Sequence, residues 1–249
     1  MKKIHTMRLL SMLLATVFAL LVGFTGPGVW AEEFKIAKIY FEYNASANDL
    51  GVHVSLDAED WELLQITHPN GTMLMEVMPK SGFKKFGLTE MFFEGAEPSL
   101  EDVPLRDLLA QFPQGIYKFQ GKTVNGTALE SLPTLSHAIP AGPRVSAVVD
   151  EDEVTIKWSG VSSPPPGFPR VPVNVVGYQV ISGLFQVTLP ATSRSLAIPE
   201  EYVRSLPNGT HPFEVLAIEK SGNQTLTEGT FVKSGVRSES RRPRAERGR

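Results

Sequence analysis

The sequence predicts an all-β chain of two tandem sandwich domains behind an N-terminal export signal. Three observations lead there. Residues 1–31 have the order basic, apolar, cleavage site; the remainder breaks into short β-rich runs separated by turn residues; and a Pro-x-Gly-x-(Tyr/His)-x-Phe pattern occurs twice, 94 residues apart. A repeat of that length is the size of a small domain.

The signal comes first. Lys2, Lys3 and Arg8 precede an apolar run of 14 residues from Leu9 to Val22, and Gly23, Gly26, Pro27 and Gly28 lead to Val29 and Ala31 at the positions a signal peptidase reads. A spanning helix needs about 20 apolar residues, so this run reads as a cleavable signal rather than an anchor. Cleavage after Ala31 leaves 218 residues that do not span a membrane by helices, with a periplasmic or extracellular destination. There is no cysteine, so neither a disulfide nor a cysteine lipid anchor is available and each core must hold by burial alone. A cysteine-free exported pair of domains favours a bacterial source. The mature chain has 21 basic against 27 acidic residues. The end of the chain is the exception to this acidity, since residues 237–249 contain six arginines and two glutamates. Residues 236–249 read as a disordered, solvated basic tail, whose functional alternative is an anionic partner.

Within residues 32–138, strand-like runs are predicted at 36–43, 51–56, 62–67, 73–78, 88–93, 116–124 and 129–138. Asn70-Gly71 and Asn125-Gly126 are hairpin turn signals. Between Phe93 and Pro113, Leu105, Leu108, Leu109 and Phe112 recur at helical spacing, with Ser99 as the expected N-cap. Within residues 139–235, seven runs are predicted at 145–149, 154–158, 175–182, 185–189, 195–198, 213–219 and 225–232. Val154, Ile156 and Trp158 alternate with Thr155 and Lys157, which turns the apolar set toward one face and makes Trp158 a core residue. Tyr178, Tyr117 and Phe213 are expected in the core with it. The prolines of Ile139-Pro140-Ala141-Gly142-Pro143 argue for limited bending between the halves.

The run at 145–149, Trp158, Val176-Gly177-Tyr178-Gln179-Val180, and Leu206-Pro207-Asn208-Gly209-Thr210 leading into Phe213, Val215 and Ala217 together resemble the fibronectin type III family over about residues 139–234. The resemblance implies a seven-stranded immunoglobulin-like sandwich that needs no disulfide, and it implies no activity. His211 stands where the family usually has a corner tyrosine, and Pro212 follows it. Through the shared Pro-x-Gly pattern, Tyr117 takes the corresponding position in the first half, which reads as a divergent copy with a helix in one connection.

Chemistry is sparse. Histidines 53, 68, 137 and 211 lack the close spacing of a zinc motif, and no nucleophile elbow, phosphate loop or dinucleotide fingerprint occurs. The chain reads as non-enzymatic and without a cofactor, a binding, adhesion or spacer protein with a protein partner and no sequence-specific nucleic acid. The alternatives are a carbohydrate-binding accessory protein and a secreted hydrolase with an unfamiliar site. Glu42, Asn44, Asp49 and Asp57 are an oxygen-rich candidate for calcium, against the simpler reading of a polar turn. Residues 162–172 hold five prolines and are expected to display Phe168 and Arg170 on a stiff loop. Trp61 is the aromatic candidate for a polysaccharide. Asn-x-Ser/Thr sites begin at Asn44, Asn70, Asn125, Asn208 and Asn223 and read as glycan acceptors in a eukaryotic secretory pathway, while turn chemistry explains without any sugar the three that read Asn-Gly-Thr.

Overall fold

A computed structural model describes residues 31–151 and 153–234; the export signal and the basic tail lie outside the described residues. The described residues are mostly β, 53% strand and 9% helix, and are organised on one large mixed sheet. Its first half runs β1 (Ile36–Asn44), β2 (Asp49–Thr67), β3 (Met73–Val77), α1 (Ser81–Phe86), β4 (Leu88–Glu94), α2 (Leu105–Gln111), β5 (Gly115–Ile116), β6 (Lys118–Thr123), β7 (Ala128–Ser131) and β8 (Thr134–Leu135). The second half runs β9 (Val145–Asp150), β10 (Glu153–Trp158), β11 (Val175–Ser182), β12 (Phe185–Pro190), β13 (Ser195–Ile198), α3 (Glu200–Ser205), β14 (Gly209–Glu219) and β15 (Gln224–Lys233).

Each half buries its own core. In the first, alternate residues of β1 and β2 face inward, so that Ile39, Phe41 and Tyr43 oppose Val54, Val52 and Leu50. Trp61, Leu64, Tyr117 and Phe119 complete this core, and Leu108 and Leu109 of α2 close over it at the spacing the sequence predicts. In the second, Val154, Ile156 and Trp158 of the three-stranded β9–β10–β13 sheet pack on Tyr178, Val180, Phe213, Val215 and Phe231 of the large sheet. Trp158 and Tyr178 meet with ring centroids 5.7 Å apart.

Two local expectations are corrected, and one short helix is new. The runs at 51–56 and 62–67 are one 19-residue strand, β2, because irregular register between Asp57 and Leu63 lets it pass from pairing with β1 to pairing with β6 without breaking. Ser99 does not cap α2. Pro104 stands at the helix start, and a residue preceding proline is pushed out of helical geometry, so the helix cannot reach back to Ser99. Ser99 instead anchors a turn, its carbonyl accepting the N–H groups of Asp102 and Val103. Helix α1 has no counterpart in the sequence reading. It interrupts what is otherwise one strand: β3 and β4 lie in succession along β2, antiparallel to it, with α1 between them.

The two halves share the large sheet, in the order β12-β11-β14-β15-β1-β2-β6-β7. The join is a parallel pairing of β1 with β15, Glu42 with Gln224, Tyr43 with Thr225 and Asn44 with Leu226. At its head Asn223 is fully buried. Its Oδ1 accepts the Phe41 N–H at 2.8 Å, and its Nδ2 donates to the carbonyls of Ser136 and Ala138 at 2.8 and 3.2 Å. Gly222, at φ 99°, makes the turn that presents Asn223, and the buried Glu219 carboxylate braces that turn by accepting from Ser221 and Asn174. The linker is held as well: Thr225 Oγ1 donates to the Pro140 carbonyl at 2.5 Å, and the Ala141 N–H donates to Ser163. Buried in this way, Asn223 cannot carry a glycan in the folded protein, which corrects its reading as an acceptor.

Replacing Asn223 with alanine strands one buried donor and two buried carbonyls, each costing about 1–3 kcal/mol. Asn223→Ala is expected to lower stability by roughly 3 kcal/mol or more in urea unfolding; a loss under about 1 kcal/mol, the size of one ordinary exposed hydrogen bond, contradicts this account of the join.

Candidate metal centre

The face of β1 and β2 that points away from the first core carries a cluster of ionisable side chains. Because the strands pair antiparallel, Tyr40 lies opposite His53 and Glu42 opposite Gly51; on the other side of β2, His53 lies opposite Glu94 of β4. Cross-strand partners share a face, so Glu42, His53 and Glu94 converge from three strands. Glu97 enters from the connection after β4 and lies over Gly51, where a Cβ would stand 2.5 Å from its Cγ. Gly51 is therefore the space in which the Glu97 side chain rests.

His53 is 3% exposed. Its Nε2 is 3.1 Å from Glu97 Oε1 and 4.0 Å from Glu94 Oε2, and its Nδ1 is 3.9 Å from Glu42 Oε2. The rings of Tyr40 and Phe92 flank it, with centroids 5.3 and 5.6 Å away. Glu42, His53 and Glu97 each offer a ligand atom within 4.8 Å of the other two. Burial pushes the Glu42 carboxyl above the ordinary range, against the opposing pull of His53 and of the hydrogen bond from Gln224, with Glu97 and Glu94 adding to the rise. Burial raises Glu97 too, again opposed by His53. The Tyr40 hydroxyl is pushed up to about 12 by burial and by the neighbouring charges of Glu42 and Glu94. One buried imidazole among carboxylates whose charge is poorly solvated is a donor set suited to a divalent cation.

The calcium quartet does not assemble. Glu42 belongs to the cluster above, while Asn44 and Asp49 close the β1–β2 turn, where Asn44 Oδ1 accepts the N–H groups of Ser46 and Ala47. Asp57 pairs with Ile36 at the other end of the strands, about 26 Å from Asp49 at the usual rise per residue. Asp49 keeps one buried oxygen without a hydrogen bond, and burial raises its carboxyl, helped by Glu228.

The aromatic candidates are also placed differently. Trp61 is fully buried and offers no face to a polysaccharide. Phe168, expected on display, is 9% exposed and packs on Tyr43 with centroids 4.9 Å apart, so the proline-rich loop reaches across to the first core. Arg170 is exposed beside it. Of the candidates, Glu42 alone enters the cluster, and His53, Gly51 and Glu97 were missed. A search by spacing fits ligands on a helix or loop, whereas these meet across strands. The hairpin register of β1 and β2 would have placed Glu42 near His53; nothing in the sequence brings Glu97 to them.

No protein-family model matches the chain, and no curated protein does. Among solved structures it is similar over 38% of its length to the spore cortex lytic enzyme SleM of Clostridium perfringens, at 18% identity and a TM-score of 0.30. It is similar over 80% to the tetra-tandem repeat in the extending region of a large adhesion protein, at 11% identity and 0.25, and over 81% to a bacterial ice-binding adhesin, at 13% and 0.27. The aligned parts span 28%, 50% and 63% of those chains. Likenesses this distant decide neither fold family nor function, and the functional reading rests on the chain's own residues.

The raised carboxyls set a pH dependence. Glu42, Glu97 and Asp49 have folded-state pKa values above their ordinary ones, so the folded state binds more protons than the unfolded state between the two. The stability they contribute is complete below the ordinary carboxylate range and is lost as pH rises through the folded values. Melting temperature is therefore expected to fall as pH rises above the ordinary carboxylate range. Glu42→Gln is expected to flatten that slope, and an unchanged slope contradicts the assignment.

Proposed function

We propose that this is an exported, non-enzymatic binding or spacer protein, two immunoglobulin-like sandwiches with a fibronectin-type second half, joined as one unit that presents its surfaces at fixed geometry. The observation that carries this reading is the join: a fully buried asparagine, a parallel strand pairing and a pinned proline linker all resist rotation between the halves. A flexible tether would need none of them. The internal repeat supports the pairing of the halves. Tyr117 donates its hydroxyl to the Pro113 carbonyl at 3.1 Å, and the His211 Nε2 lies 2.8 Å from the Pro207 carbonyl, four residues back in both cases. Gly115 and Gly209 adopt matching φ of 150° and 143°, and α2 and α3 both begin after a proline. Affinity capture from the native envelope or secretion fraction, with and without residues 237–249, is expected to retain one protein partner in both forms. Turnover in a broad substrate screen overturns the non-enzymatic reading.

A second reading concerns what the surface binds. The His53 cluster favours a divalent cation of the zinc class over calcium, because an imidazole donor suits zinc while calcium takes oxygen ligands. Calorimetry is expected to show zinc binding that His53→Ala abolishes and Asp57→Asn leaves unchanged. Heat with calcium and none with zinc reverses that reading.

A further inference from the structure

We infer that the α1 excursion is a docking element for an anionic lipid surface. Val77 and Leu88 pack against the first core, and between them residues 78–86 stand out from the sheet, with no residue of α1 buried. The protruding side chains are of two kinds. Met78, Phe83 and Phe86 are 52%, 66% and 72% exposed. Phe83 and Phe86, three residues apart on one helical turn, share a face. Lys80, Lys84 and Lys85 accompany them, with no acidic residue between Glu76 and Glu90, whereas residues 32–236 as a whole carry an excess of acidic side chains. Among the described residues none of the three lysines makes an ion pair, and Lys85 Nζ lies 5.3 Å from the Phe86 ring centre.

The excursion is firmly rooted. The Gly87 N–H donates to the Phe83 carbonyl at 2.8 Å, and Gly87, at φ 77°, sits so close to Asp60 that a Cβ would fall 2.7 Å from its backbone. A fold that buries Trp61 and Phe168 leaves two phenylalanines exposed on a turn anchored at Gly87. A bilayer interface takes apolar tips into the acyl boundary while lysine stems extend their charges to the headgroups. Each lysine near an anionic surface is worth roughly fivefold in affinity, so three supply on the order of a hundredfold.

The absence of cysteine permits a clean test on the chain from Glu32 to Arg249. An environment-sensitive fluorophore on Ser81→Cys, at the exposed start of α1, is compared with one on Leu184→Cys, a fully exposed turn residue of the other half. With vesicles of phosphatidylglycerol and phosphatidylcholine in equal parts, the label at 81 is expected to shift to the blue and the label at 184 to stay unchanged; pure phosphatidylcholine is expected to give neither shift. Phe83→Ser with Phe86→Ser is expected to lower vesicle affinity at least tenfold with the melting curve retained. Lys80→Gln, Lys84→Gln and Lys85→Gln together are expected to remove the preference for anionic vesicles. Vesicle binding through the arginine tail alone, seen as sedimentation with no shift at 81, overturns the proposal. So does capture of an acidic protein by α1 in the absence of any vesicle binding.

Discussion

The side-chain amide of Asn223 is the constraint on which the arrangement of the halves depends. An asparagine has two donor hydrogens and one acceptor oxygen to place, and here all are placed: one backbone N–H of β1 and two carbonyls on the approach to the linker. The group is fully buried, so each of these bonds replaces one that water would otherwise make. Aspartate has the same shape and cannot donate to the two carbonyls. The geometry admits one residue type, and with it one register of β1 against β15. Once Phe41 is tied to Asn223, the rungs from Glu42 with Gln224 to Asn44 with Leu226 follow in order. Ser46 and Glu228 extend the join beyond the ladder, the Glu228 N–H donating to Ser46 Oγ and the Asn44 amide donating to the Glu228 carboxylate.

The corner in each half shows how one structural demand is met with two chemistries. The chain leaves a short helix, passes a proline and a glycine at extreme φ, and is tied back as it enters a central strand. A buried tyrosine does this in the first half, its hydroxyl pushed up to about 12 by burial and so a neutral donor across the physiological range. In the second half an imidazole makes the same reach, and Pro212 follows it where β14 has not yet reached its first rung with β11, at Ile181 and Glu214. With no partner strand on that side, the missing N–H goes unneeded. The Pro212 carbonyl still serves, accepting from Ser182 Oγ.

Much of the fold was legible, and the misses share a cause. The strands of the second half agree with their periodicity to within a few residues at each end, since alternation of apolar and polar side chains is a local property of each run. Trp158, Tyr178, Tyr117 and Phe213 are buried for the same reason. What could not be read locally was any feature set by distant chain. Phe168 looked free because its partner, Tyr43, lies 125 positions earlier. Asn223 looked like a glycan acceptor because the three groups it bonds come from β1 and from the segment just before the linker. Helix α1 carries no buried stripe, so periodicity had nothing to register. Glu97 enters the His53 cluster only because Gly51, on another strand, has no side chain.

The same dependence on distance couples the cluster to the join. Glu42 takes part in both: it faces His53 on one side and accepts a hydrogen bond from Gln224 of β15 on the other. The Gln224 bond stabilises the charged form of Glu42, and burial opposes it. The electrostatics of the cluster are therefore not those of the first half alone, because a residue of the second half helps to fix the charge of one donor. Asp49 and Glu228 continue the link, one from each half, the Glu228 carboxylate raising the cost of charge on Asp49. A cation bound among Glu42, His53 and Glu97 would relieve that cost on one side of the join. By linkage, anything that tightens β1 against β15 would then change the cluster's affinity by the same factor that cation binding changes the stability of the join.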